Sequence, residues 1–144
     1  MVSLCLGGEG VSADLKTIAA EPDPAKRARL ALTNGERATT QAGDKCRASD
    51  FEACTALLAE VRESVELALQ SLQATGVDPA RRPGRYKEAE IQTRRILHLL
   101  VDLKTYIHPE DEADYESVRR RVSDINDRLL SAIMGKKKPR PKKK

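Results

Sequence analysis

The chain has 144 residues, 40% hydrophobic and 33% charged, with one Phe, no Trp and only 3% aromatic side chains. That composition suits a single Ala/Leu/Glu/Arg helical domain and excludes a sandwich or barrel. The net charge of +4 resides in the last nine residues, KKKPRPKKK, and the part before them is mildly acidic; no run approaches the roughly 18 apolar residues of a membrane span.

Residues 1–13, MVSLCLGGEGVSA, combine a short apolar run, a Gly-rich stretch and small residues at Val11, Ser12 and Ala13. They read either as the remnant of a secretory signal peptide without its basic start or as a disordered N-terminus. Residues 14–20 can form one or two helical turns with Leu15 and Ile18 inward, stopped by EPDP. Asp23 then caps a first long helix with Pro24 at its first position, where the missing N–H costs nothing. Its seam, Ala28, Ala31, Gly35, Ala38 and Ala42, has helical spacing but small residues, with Leu30 and Leu32 alongside. Gly35 costs about 1 kcal/mol relative to Ala, and the reading preferred here is close backbone packing on a neighbour. The helix is expected to end near Ala42, because Ala42-Gly43-Asp44 resembles the turn of a tetratricopeptide-type hairpin; no second copy follows at that repeat's period of about 34 residues.

The second long helix runs from Ser49 to Thr75. Ser49 and Glu52 form a capping box, and Gly76 supplies the left-handed residue at the end. Phe51, Cys54, Leu58, Val61, Val65, Ala68 and Leu72 recur in strict three-four alternation, and Leu57 and Leu69 widen the stripe enough to need more than one partner helix. GVDPARRPGR is a linker. The third long helix spans about Arg85 to Ile107, with Tyr86, Ala89, Thr93, Ile96, Leu100, Leu103 and Ile107 on its seam. HPEDEAD breaks the chain at Pro109 and places four carboxylates at the start of the fourth helix, where the helix dipole favours them. That helix carries Tyr115, Val118, Val122, Ile125, Leu129 and Ala132 and ends at Gly135. The fold expected is all-α over residues 14–135, an antiparallel up-down bundle of four helices. A variant has a three-helix core with the weaker first helix lying across it.

EPDPAKRARLAL, with SLQATGVDPARRPGRYKEAEIQTR, resembles a group of short, exported, all-helical bacterial proteins of unknown function, over most of residues 14–134. The resemblance implies export and an all-α fold; it carries no activity.

Reactive groups do not converge. His98 sits off the third seam and His108 precedes Pro109; neither belongs to a metal-binding motif, and no metal or cofactor is expected. The carboxylates fall on polar faces, no nucleophile elbow occurs, and Cys54 on a seam is a small hydrophobe, so the chain is not expected to be an enzyme. None of Cys5, Cys46 and Cys54 lies in a CxxC motif. In an exported chain Cys46, in the loop before the second long helix, and Cys54, in that helix, are candidates for a disulfide, provided the chain folds back to bring their Cα atoms within about 7 Å. Arg81, Arg82, Arg85 and Lys87 gather at the start of the third helix as a candidate anion site; the competing reading pairs them with Glu88 and Glu90. Lys136, Lys137, Lys138, Arg140, Lys142, Lys143 and Lys144 form a disordered basic tail expected to bind polyanions weakly and without sequence preference. The sequence therefore points to a non-enzymatic interaction or scaffold module, periplasmic or secreted, that meets a protein partner through its helix faces. The alternatives are non-specific nucleic-acid binding through the tail and a cytoplasmic location.

Overall fold

The computed structural model describes residues 14–135, which are all helical apart from their connections and contain no strand. The N-terminal segment with Cys5 and the basic tail, Lys136 to Lys144, lie outside the described residues. Five helices follow one another: α1, residues 14–19; α2, Pro24–Arg47; α3, Phe51–Ala74; α4, Gly84–Leu103; and α5, Glu112–Met134. Among the described residues no helix is long and apolar enough to cross a membrane.

Each long helix buries the stripe its spacing dictates. Val61, Val65, Ile96, Leu100, Val122 and Ile125 are at most 1% exposed, and Ala31, Ala38 and Ala42 of α2 are wholly buried. Ile18 of α1 packs against the same core, which joins all the described helices.

Partner contacts fix the helix directions. Arg27 Nε donates to Ser71 Oγ (2.8 Å), Asn34 Nδ2 to Glu60 Oε2 (2.8 Å) and Ser64 Oγ (3.0 Å), and Cys46 meets Cys54. Numbers fall on one helix as they rise on the other, so α2 and α3 form an antiparallel hairpin. The Tyr115 hydroxyl donates to the Leu100 carbonyl (2.6 Å) and Asn126 Nδ2 to that of Glu90 (3.0 Å), so α4 and α5 form a second one. The hairpins lie side by side, α2 along α4 and α3 along α5, while α3 and α4, consecutive in the chain, touch at only a few points. Gly35 meets Ile96, while Ala28 and Ala89 share a groove nearer the helix starts, so α2 and α4 run in the same direction.

The first long helix is not the weak member lying across the others. α2 packs along the length of α3, because small side chains let the backbones approach: a Cβ added at Gly35 would sit 3.3 Å from both Ile96 Cδ1 and Ser64 Cβ. Beside this seam Leu32 is buried, whereas Leu30 is 36% exposed.

Helix ends depart from the sequence reading in three places. α2 continues through Ala42-Gly43-Asp44 to Arg47, so Cys46 belongs to its last turn and not to a loop. The stop is a Schellman turn: Asp50 N donates to Lys45 O (2.8 Å), Ser49 N to Cys46 O (3.0 Å), and Ser49 takes the left-handed conformation, φ 64°. Asp50, not Ser49, then caps α3 by accepting from Ala53 N (3.3 Å). Finally, α4 ends at Leu103 and not at Ile107. Pro109 disfavours the helical conformation at His108, and the chain tightens into 3₁₀ turns at Lys104–Tyr106 and Pro109–Asp111 around an extended Ile107 and His108. Ile107 remains buried at 9% exposure, so its seam position survives the loss of the helix.

Candidate functional site

The four cationic residues singled out in the sequence are divided between two elements. Arg81 and Arg82 sit on the connection after α3, Arg85 and Lys87 in the first turn of α4, and all four are exposed. Among the described residues none of them has an ion-pair partner. Glu90 is committed elsewhere: Arg94 donates to it through Nε (3.0 Å) and Nη2 (2.8 Å), and Asn126 through Nδ2 (3.3 Å).

Arg85 instead joins a groove between α2 and α4 of about 430 Å³. Ala28 and Leu32 of α2, Ala89 of α4 and Leu72 of α3 give it an apolar floor, and Ile91, 48% exposed, stands on its wall. Arg29 of α2 and Arg85 and Arg95 of α4 line it with positive charge against one carboxylate, Glu88. Arg95 lies 3.5 Å from Glu36, which also accepts from Gln92 Nε2 at 3.3 Å. Arg29 and Arg85 have no ion-pair or hydrogen-bond partner among the described residues. The sequence reading missed Arg29 and Arg95. Arg29 follows a seam residue directly, but only the lateral pairing of the two hairpins brings it opposite Arg85.

Other hollows differ in charge. Beside the α3/α5 contact, Glu66 accepts from Arg121 Nε (2.9 Å) and approaches Arg62 Nε (3.5 Å), so its charge is answered within the chain. A shallow hollow at Phe51 and His108 carries Glu52, Glu110 and Asp111. His108 is used locally: Nδ1 accepts from Glu110 N (3.1 Å) and the ring meets Phe51 edge-on, centroids 5.0 Å apart. His98 is exposed. Among the described residues no group of three or more His, Cys, Asp or Glu side chains is placed to hold a metal.

Two carboxylates depart from the polar-face expectation. Glu60 and Glu90 are both 7% exposed, each clamped to an asparagine across its hairpin. Asn34 and Arg37 Nη2 (3.2 Å) donate to Glu60, yet removal from water outweighs them and pushes its carboxyl above the usual range. The Arg94 hydrogen bond dominates at Glu90 and holds its carboxyl below that range. The remaining buried polar side chains, Thr39, Ser64, Ser71 and Thr93, are hydrogen-bonded within the helices or across α2/α3, so these groups serve packing.

The sulfurs of Cys46 and Cys54 are in bonding contact, with Cα atoms 5.4 Å apart, within the span of a disulfide. The pair is buried and ties the last turn of α2 to the first of α3.

No known protein family matches the chain, nor does any curated protein or solved structure.

Proposed function

We propose that this chain is a non-enzymatic helical-bundle binding module, exported to an oxidising compartment, whose partner-facing surface is the α2/α4 face. The bundle reading draws support from the antiparallel α2/α3 and α4/α5 pairs around one core; it is a bundle of two hairpins set side by side, in place of a ring of consecutive neighbours. Export draws support from the contact between Cys46 and Cys54, since such bonds persist mainly outside reducing compartments. The observation carrying the binding reading is the contrast between the polar side chains of the interior, which are engaged in packing, and Arg29 and Arg85, left without partners above an apolar floor. A binding site is an apolar concavity with a few placed polar groups, and this groove is of that kind and size.

Site-specific photo-crosslinking in the native host tests the assignment. A photoreactive residue at Ile91 should give a discrete heavier species, and one at exposed Arg128 on α5 should not. Equal yields from both positions, or none from Ile91, reject the α2/α4 face.

A further inference from the structure

The two ends of the bundle differ in charge. Because α2 and α4 run one way and α3 and α5 the other, the starts of α2 and α4 share an end with the last turns of α3 and α5. The pairs Tyr115 with Leu100 and Asn126 with Glu90 set the register of α5 against α4. Carried on along α5, that register brings Leu130 level with the first turn of α4 and Met134 level with the linker before it. Residues 77–88 hold exposed Arg81, Arg82, Arg85 and Lys87 against Asp78 and Glu88, and none of the four cations has an ion-pair partner among the described residues. Directly after Gly135 the sequence KKKPRPKKK adds seven cations in nine residues and no carboxylate. At the opposite end Asp50, Glu52, Glu110, Asp111, Glu112 and Asp114 outnumber Lys45, Arg47 and Lys104. The molecule is thus an electric dipole along its helix axes, which an anionic surface turns basic end first.

Charge by itself suits any polyanion, and the apolar side chains choose among them. Met134 is 72% exposed and Leu130 46% exposed, four residues apart on α5 and so on one face, immediately before the cations. Nucleic acid gives such side chains little to bury against: single strands are held by stacking on aromatic rings, and Tyr86, the aromatic residue at this end, is itself buried. A lipid surface accepts both features, since apolar side chains enter the headgroup boundary while anionic headgroups meet the cations around them. We infer that the bundle end formed by residues 77–88, the last turns of α5 and the basic segment that follows docks on an anionic lipid surface, with the acidic end turned to water. This goes beyond the reading of the α2/α4 face and does not rest on it.

The test mixes the full chain with vesicles of equal parts phosphatidylglycerol and phosphatidylcholine, with vesicles of phosphatidylcholine alone, and with duplex DNA at matched phosphate. Co-sedimentation reads the vesicles and fluorescence anisotropy the DNA. The expected result is binding to the mixed vesicles that falls steeply with salt, and little to the neutral ones. Arg81→Gln, Arg82→Gln and Lys87→Gln together should weaken vesicle binding at least about tenfold although the basic segment is intact, with melting unchanged because these side chains have no partner to lose. Leu130→Ser with Met134→Ser should weaken vesicle binding about fivefold and leave DNA binding as it was. On the mixed vesicles amide exchange should slow in residues 77–88 and 128–135 and not in residues 104–114. Equal binding to neutral vesicles, or protection of residues 104–114, overturns the docking end. A triple Gln variant that binds as wild type would leave the basic segment acting alone and overturn the proposal. A Ser pair that changes neither binding, or both alike, would make the contact one of charge only and favour nucleic acid in place of lipid.

Discussion

The two hairpins solve the same packing problem with different materials. α2/α3 joins a helix of small seam residues to one of larger residues through a three-residue turn, and its interface holds the Cys46–Cys54 contact and a polar knot of Asn34, Glu60 and Ser64. α4 and α5 bury Ile96, Leu100, Val122, Ile125 and Tyr115, and are joined by a corner of two 3₁₀ turns. Small side chains bury little apolar area each, so α2 gains by approaching closely enough for specific polar and covalent ties. α4 and α5 have polar ties of their own, from Asn126 to Glu90 and from Tyr115 to Leu100, but add larger side chains and no covalent link. The first hairpin should therefore be sensitive to added bulk and to reduction, and the second to lost bulk.

The largest effect is expected from Leu100→Ala, which empties a wholly buried site in the second hairpin and should cost about 2–5 kcal/mol in chemical denaturation. An unchanged denaturation midpoint would remove Leu100 from the core. The converse change belongs to α2. Gly35→Leu inserts a side chain where even a methyl group would stand 3.3 Å from Ser64 Cβ, and overpacking of this kind costs about 1–3 kcal/mol. If Gly35→Leu is tolerated, close approach is not what holds α2.

Opening the Cys46–Cys54 link should cost a comparable amount, about 2 kcal/mol, at the low end for a disulfide because it closes a short loop, sequence separation 8. Protein recovered from an oxidising compartment and alkylated without reductant should carry no label at these two positions. Two added alkyl groups there would show free thiols and withdraw the covalent tie from the comparison. Cys46→Ser with Cys54→Ser should lower the midpoint, with Leu100→Ala still adding its full cost, because the two sites lie in different hairpins.

The seams were legible because three-four alternation is a property of each helix by itself: Leu58 through Leu72, Tyr86 through Leu103 and Tyr115 through Leu129 are buried as their spacing requires. What could not be read was set between segments. Ser49 adopts a left-handed turn that sequence assigns to Gly, while Gly43, read as a stop, lies buried within α2. The corner arginines were visible as charges, but a groove needs two walls, and the lateral register that places Arg29 opposite Arg85 leaves no periodic trace in either helix. Glu60 and Glu90 follow the same logic. Each flanks a seam, where its polarity suggested solvent, and each is buried because an asparagine on the neighbouring helix receives it.

Those two carboxylates give the smallest and most discriminating effect, because their titrations have opposite signs. Glu60 sits above the usual carboxyl range because burial penalises its charge more than Asn34 and Arg37 relieve it, with nearby Glu63 adding a small upward push. Folded protein then binds this proton more tightly than unfolded protein does. The stability it contributes is present in acid and lost as pH rises through the folded-state value. Glu90 sits below the range because Arg94 and Asn126 bond the charged form, so its contribution is present above the unfolded value and lost as pH falls through the folded one. Denaturation of wild type, Glu60→Gln and Glu90→Gln across about pH 3 to 7, the span in which carboxylates titrate, separates the two. The stability difference between wild type and Glu60→Gln should fall with rising pH, and that between wild type and Glu90→Gln should rise. Two slopes of the same sign would mean that the asparagine clamps are electrostatically equivalent, and that the first hairpin does not hold its charge at a cost the second avoids.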